Sequence, residues 1–79
     1  MLMEIKILGT GCAKCKTLYA TVEKTVRDAG SDAKVTKVED MADIMQYDVM
    51  STPAVVVDGK VVSQGKIPSA GEILKFIGK

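Results

Sequence analysis

The chain opens on alternation. Met3, Ile5 and Ile7 are apolar and Glu4 and Lys6 between them are charged, the period-two pattern of a strand with one buried face. Gly9-Thr10-Gly11 breaks that pattern after Leu8. From about Ala13 the period lengthens. Leu18, Val22, Val26 and Ala29 recur at three- and four-residue steps, while Lys16, Glu23, Lys24, Arg27 and Asp28 fall on the remaining surface. This spacing predicts an amphipathic helix over about Ala13–Ala29, with Gly30 in the C-cap position. Ala33–Val38 returns to a short strand pattern. Two strands joined through a helix of this length form a βαβ unit, so they are expected to run parallel.

The second half starts with Asp40 as a helix N-cap, with Asp43 three residues on. Met41, Ile44, Met45 and Val49 supply an apolar stripe. Those methionines, with Met50, read as flexible core fillers in a chain short of aromatics. Ala54–Val57 is a β-branched run, Asp58-Gly59 a hairpin turn signal, and Lys60–Ser63 the returning strand. Ser69 and Glu72 form an S-x-x-E capping box ahead of a last helix, about Ala70–Ile77. The order β-α-β-α-β-β-α predicts an α/β fold with one four-stranded mixed sheet flanked by helices. No repeat or linker composition interrupts it, so residues 1–79 are expected to form a single domain.

Composition narrows the function. A chain of 79 residues builds only a thin core, but 47% hydrophobic residues suffice for one. Eleven Lys and Arg against ten Asp and Glu leave a net charge of +1, which argues against nucleic acid or an anionic membrane as partner. No apolar run reaches the roughly 18 residues of a membrane span. The start, MLMEIKIL, lacks a signal peptide's apolar core and cleavage site, so a cytoplasmic location is expected. With no histidine in the chain, the usual general base is missing, and chemistry falls to the two cysteines.

Cys12-Ala13-Lys14-Cys15 stands where the first strand gives way to the first helix. A structural staple is disfavoured, because so short a loop yields little stabilisation and the cytosol keeps ordinary thiols reduced. A helix start, by contrast, favours an anion through its unpaired N–H groups and its dipole. Lys14 and Lys16 add positive charge, and Lys14, between the cysteines, is expected to tune the thiolate. Cys12 then suits the attacking thiolate and Cys15, one turn along, the resolving thiol. Two thiolates at this spacing also suit Cu(I) or half of a zinc site, and the local motif leaves both readings open.

GTGCAKC, STPAVVVDGKVV and GKIPSAGEILKFI together resemble the thioredoxin–glutaredoxin superfamily, closest to its small archaeal and bacterial thioredoxin-like redox proteins. The resemblance covers nearly the whole chain. It implies the thioredoxin-like fold and a dithiol–disulfide oxidoreductase, with Cys12 as nucleophile and Cys15 as resolving cysteine. It further implies a cis Pro53 opposite the cysteines, a Thr52 backbone that pairs with substrate, and a Gly65 that leaves room for the substrate chain. The implied partners are a protein disulfide substrate and, as electron donor, a separate reductase or a low-molecular-weight thiol; no bound cofactor and no metal are expected. The chain departs from thioredoxins in having Gly11 rather than Trp before the first cysteine and Ala13-Lys14 between the pair. By spacing, Lys6 stands where thioredoxins carry a buried carboxylate.

The rival reading is a Cu(I)- or zinc-binding module similar to ferredoxin-like metallochaperones, which also place C-x-x-C between a strand and a helix. Their loop usually carries Met two residues before the first cysteine, where this chain has Thr10, and their topology ends in a strand. A third possibility is a thioredoxin-fold adaptor, in which substituting Cys12 changes nothing measurable.

Overall fold

The computed structural model describes residues 3–10 and 13–78. The opening alternation forms β1 (Glu4–Leu8), followed by α1 (Ala13–Asp28), β2 (Lys34–Val38), α2 (Met41–Met45), β3 (Ala54–Val57), β4 (Lys60–Gln64) and α3 (Ala70–Phe76). The sheet order is β2-β1-β3-β4. β1 and β2 are parallel, with Ile7 opposite Lys37; β1 and β3 are antiparallel, with Leu8 opposite Ala54; β3 and β4 form the hairpin. This is the mixed four-stranded sheet of a thioredoxin-like fold.

Local chemistry explains the element boundaries. After α1, Gly30 N donates to Arg27 O at 3.0 Å and Ser31 N to Val26 O at 3.1 Å, the paired bonds of a Schellman ending. Asp40 caps α2 by accepting from Ala42 N at 2.9 Å. The reciprocal capping box between Ser69 and Glu72 opens α3. At the hairpin, Asp58 and Gly59 both adopt positive φ, 50° and 85°, the conformation whose twist matches that of the flanking strands. Asp58 is also tied to β1, donating its N–H to Glu4 O at 2.8 Å and accepting from Glu4 N at 2.9 Å.

Alternation splits the sheet's side chains between two cores. Ile5, Ile7, Val55 and Val57 pack with Leu18, Val22 and Val26 of α1 and Ile73 of α3. Leu8, Ala54 and Val56 pack on the other face with Ile44 of α2, flanked by Tyr47 and Val49. The second core is small because α2 has only five residues. One of its side chains, Ile44, is buried; Met41 and Met45 are exposed, and Met50 in the following loop is 93% exposed. The expected core-filling methionines are therefore surface residues, since a single helical turn presents too narrow a face to bury a stripe. No described helix is long and apolar enough to cross a membrane.

Candidate active site

The register brings the ends of the strands together at one edge of the sheet. Leu8 at the end of β1 lies beside Ala54, the first residue of β3, and Ala54 lies beside Gln64, the last of β4. The connections that follow or precede these residues, Gly9-Thr10, Thr52-Pro53 and Gly65, therefore share that edge. Carboxyl ends of strands in α/β sheets are where crevices for ligands form.

Cys15 enters this edge from the first turn of α1. It is 7% exposed, and its sulfur occupies the space in which a side chain on Gly9 would begin; a Cβ there would also lie 3.1 Å from the Cys15 Cβ. Gly9 N donates to Val38 O at 3.0 Å, so the residue beneath the sulfur is held by the sheet. The first turn of α1 contains no acidic residue, and Lys14 is exposed on it. Cys12 lies outside the described residues.

Across the edge, the Thr52–Pro53 peptide bond is cis. Pro53 is fully buried while Thr52 is exposed. Gly65 N donates to Pro53 O at 2.9 Å. Gly65 has φ +74°, and a Cβ on it would meet Ser51 Cβ at 3.0 Å. The space at Gly65 is thus taken up by Ser51 in the segment leading into Pro53, which gives the glycine a structural reason alongside the expected one. Met50 N donates to the Gln64 side chain at 2.9 Å, closing the same loop onto β4. The structure therefore ties Gly65 to Pro53 and to Ser51, the residues flanking Thr52, brings Cys15 to the same edge, and leaves Lys14 at the surface.

Lys6 faces away from Cys15. Ile5 and Ile7 point to α1, so Lys6 points to the α2 side, where its Nζ donates to the Tyr47 hydroxyl at 3.2 Å. That bond holds the Lys6 ammonium above the usual lysine value. What does surround Cys15 is a small cleft lined also by Ile7, Gly9, Lys16, Lys37 and Glu39. Lys37 Nζ sits 4.6 Å from the centroid of the Tyr19 ring, a cation–π contact. Hydrogen bonding to Glu23 pushes the Tyr19 phenol up, keeping it protonated. Gly9, Ser51, Lys37 and Glu39 are the residues that sequence reading missed. Gly9 had a signal in its place directly before the motif loop; the other three become neighbours of the site only through the sheet register.

Comparison with known proteins agrees with this architecture. Residues 3–78 match the family model of the thioredoxin domain. The chain is 44% identical over 73 residues to a thioredoxin of Methanocaldococcus jannaschii, covering 92% of this chain and 84% of that protein. It is 34% identical over 76 residues to a thioredoxin of Methanothermobacter thermautotrophicus, covering 96% and 99%. A solved structure of a malarial protein superposes with a TM-score of 0.73 at 13% identity, covering 98% of this chain and 94% of that one; at that identity it speaks to the fold alone.

Proposed function

The chain belongs to the thioredoxin family of thiol–disulfide redox proteins, and on that premise we propose that it is a dithiol–disulfide oxidoreductase working as one domain over residues 1–79. The observation that carries this reading is the burial of the Cys15 sulfur over Gly9 at the start of α1, on the sheet edge that also bears the Thr52–Pro53 loop. An inert small hydrophobe has no need of a helix start and a glycine cut away beneath it. A buried thiol beside an exposed loop, three residues after a second cysteine, suits a resolving role.

In this mechanism the Cys12 thiolate attacks one sulfur of a client protein disulfide. A Cys12–client disulfide forms, and the other client sulfur leaves as a thiolate. Cys15, deprotonated, then attacks Cys12 Sγ; the Cys12–Cys15 bond forms and the client sulfur departs with the electron pair. Two electrons have passed from the chain to the client. A disulfide reductase or a low-molecular-weight thiol restores the dithiol, with no bound cofactor. Cys12 directly precedes α1, and a helix start together with Lys14 and Lys16 favours a thiolate there. The backbone of Thr52, an exposed residue, is the proposed strand partner for the client, with Pro53 and Gly65 shaping its seat. The reaction is assigned to the cytoplasm, where dithiols are kept reduced. The rival metal-binding module is disfavoured by the match of residues 3–78 to the thioredoxin domain and by the β2-β1-β3-β4 order of the sheet.

The test is reduction of a model protein disulfide by the metal-free reduced chain. Turnover well above that of free dithiol, abolished by Cys12→Ser, is expected, and Cys15→Ser is expected to accumulate mixed disulfides. A rate equal to free dithiol overturns the reading.

A further inference from the structure

The resolving step poses a problem that the redox reading leaves open. Cys15 must lose a proton while buried, and burial disfavours an anionic sulfur. The chain holds no histidine, and Lys6 on β1 is turned to the opposite face and engaged with Tyr47. The cleft beside Cys15 contains the answer's ingredients. Ile7 of β1 and Gly9 just after it bring no titratable group to it; α1 contributes Lys16, and β2 with its extension contributes Lys37 and Glu39. Alternation accounts for this, because Val35 packs in the α1 core and Lys37 and Glu39 follow at two-residue steps on the same face. Tyr19, one turn along α1, lies beneath the Lys37 ammonium and is held protonated.

Of these groups only one is a base. Ammonium groups and a protonated phenol have no vacancy for a proton; a carboxylate has. The cleft has a volume of about 40 Å³, enough to admit a water molecule between the sulfur and a lining side chain. We infer that Glu39 accepts the Cys15 proton during resolution, across this cleft, with Lys37 and Lys16 stabilising the thiolate that forms.

The step balances simply. The proton passes from Cys15 Sγ to the Glu39 carboxylate; the sulfur's electron pair forms the bond to Cys12 Sγ; the Cys12–client bond breaks and the client sulfur leaves as a thiolate. Glu39 returns its proton to solvent, to which it is exposed. The inference rests on the redox reading proposed above.

The sign of one substitution separates this role from a merely electrostatic one. A negative neighbour disfavours a thiolate, so Glu39→Gln acting through charge alone eases Cys15 ionisation and speeds resolution. Loss of a proton acceptor slows it. The reduced chain mixed rapidly with 5,5′-dithiobis(2-nitrobenzoate) releases one thionitrobenzoate on attack and a second on resolution, so the two steps are read in one trace. In Glu39→Gln the second phase is expected to slow about tenfold near neutral pH, below the roughly 10²–10⁴-fold typical of a positioned general base. The first phase should be unchanged, and the deficit should close as pH rises and Cys15 ionises unaided. Glu39→Asp should recover most of the rate. In the Cys12→Ser background, thiolate absorbance should show Cys15 ionising at equal or lower pH when Glu39 is Gln. A second phase unchanged or accelerated in Glu39→Gln overturns the inference and leaves the redox reading standing. A wild-type chain that shows no second phase and reduces no protein disulfide overturns the redox reading itself, and this inference with it.

Discussion

Gly9 and Cys15 are fitted to one another: the Cys15 sulfur lies where any side chain on Gly9 would have to begin. Gly9 is bonded to β2 through Val38 O and cannot withdraw without giving up that bond. Gly9→Ala must therefore push the first turn of α1 outward. Overpacking of this kind costs about 1–3 kcal/mol. The variant is expected to melt at lower temperature and to expose Cys15 to alkylation, with disulfide reduction falling by more than the stability loss explains. An unchanged alkylation rate would show that the contact is not a constraint.

Gly65 separates two explanations of one glycine. If its space serves Ser51, Gly65→Ala destabilises the free chain, and Ser51→Gly relieves the steric part of that loss. The positive φ of +74° leaves a residual strain that Ser51→Gly does not touch; an alanine forced into such a conformation costs more than about 1 kcal/mol. A double-mutant cycle by urea denaturation should show favourable coupling between the positions. If instead the space serves only a client chain, Gly65→Ala raises KM for protein disulfides without any coupling to Ser51.

The core between α1 and the sheet dominates stability. Leu18 is completely buried among Ile5, Ile7 and Val55. Leu18→Ala is expected to cost roughly 3 kcal/mol, within the about 2–5 found for such truncations, a large share of the about 5–15 kcal/mol that holds a domain folded. The urea midpoint should fall with little change in slope.

Acid sensitivity should be traceable to the cap of α3. The Ser69 backbone N–H, and after it the Lys66 ammonium, hold the Glu72 carboxyl below the usual carboxylate value. A lowered folded value means that this stabilisation is present above about 4.3, the value of an unperturbed glutamate, and is lost as pH falls through the folded value. Melting curves of wild type and Glu72→Gln should differ most at neutral pH and converge in strong acid. A constant gap across that range would exclude the linkage.

Much of the fold was legible because its signals are local. The β1 alternation, the α1 stripe, the Asp40 cap, the Asp58-Gly59 turn and the Ser69–Glu72 box each act over a few residues, and each element begins or ends within two residues of where they point. The C-x-x-C motif and the segment around Pro53 were likewise visible, since both are short strings. The methionines misled for a physical reason. Helical spacing shows which residues share a face, but whether Met41 and Met45 meet a core depends on how long α2 is and what lies over it.

Local signals along the chain are therefore enough for the list of elements, their order, and the residue types available for chemistry: two cysteines, no histidine and a near-neutral charge. Tertiary structure decided which of those residues meet. Parallel pairing of β1 with β2 sets Lys37 opposite Ile7 and brings Glu39 into the Cys15 cleft, while the same pleat turns Lys6 to the far face. Gly65 contacts Ser51 only because β4 pairs back onto β3. Hydrophobic periodicity records how each segment meets the core, whereas side-chain neighbours across strands follow from register, and register is a property of the whole sheet.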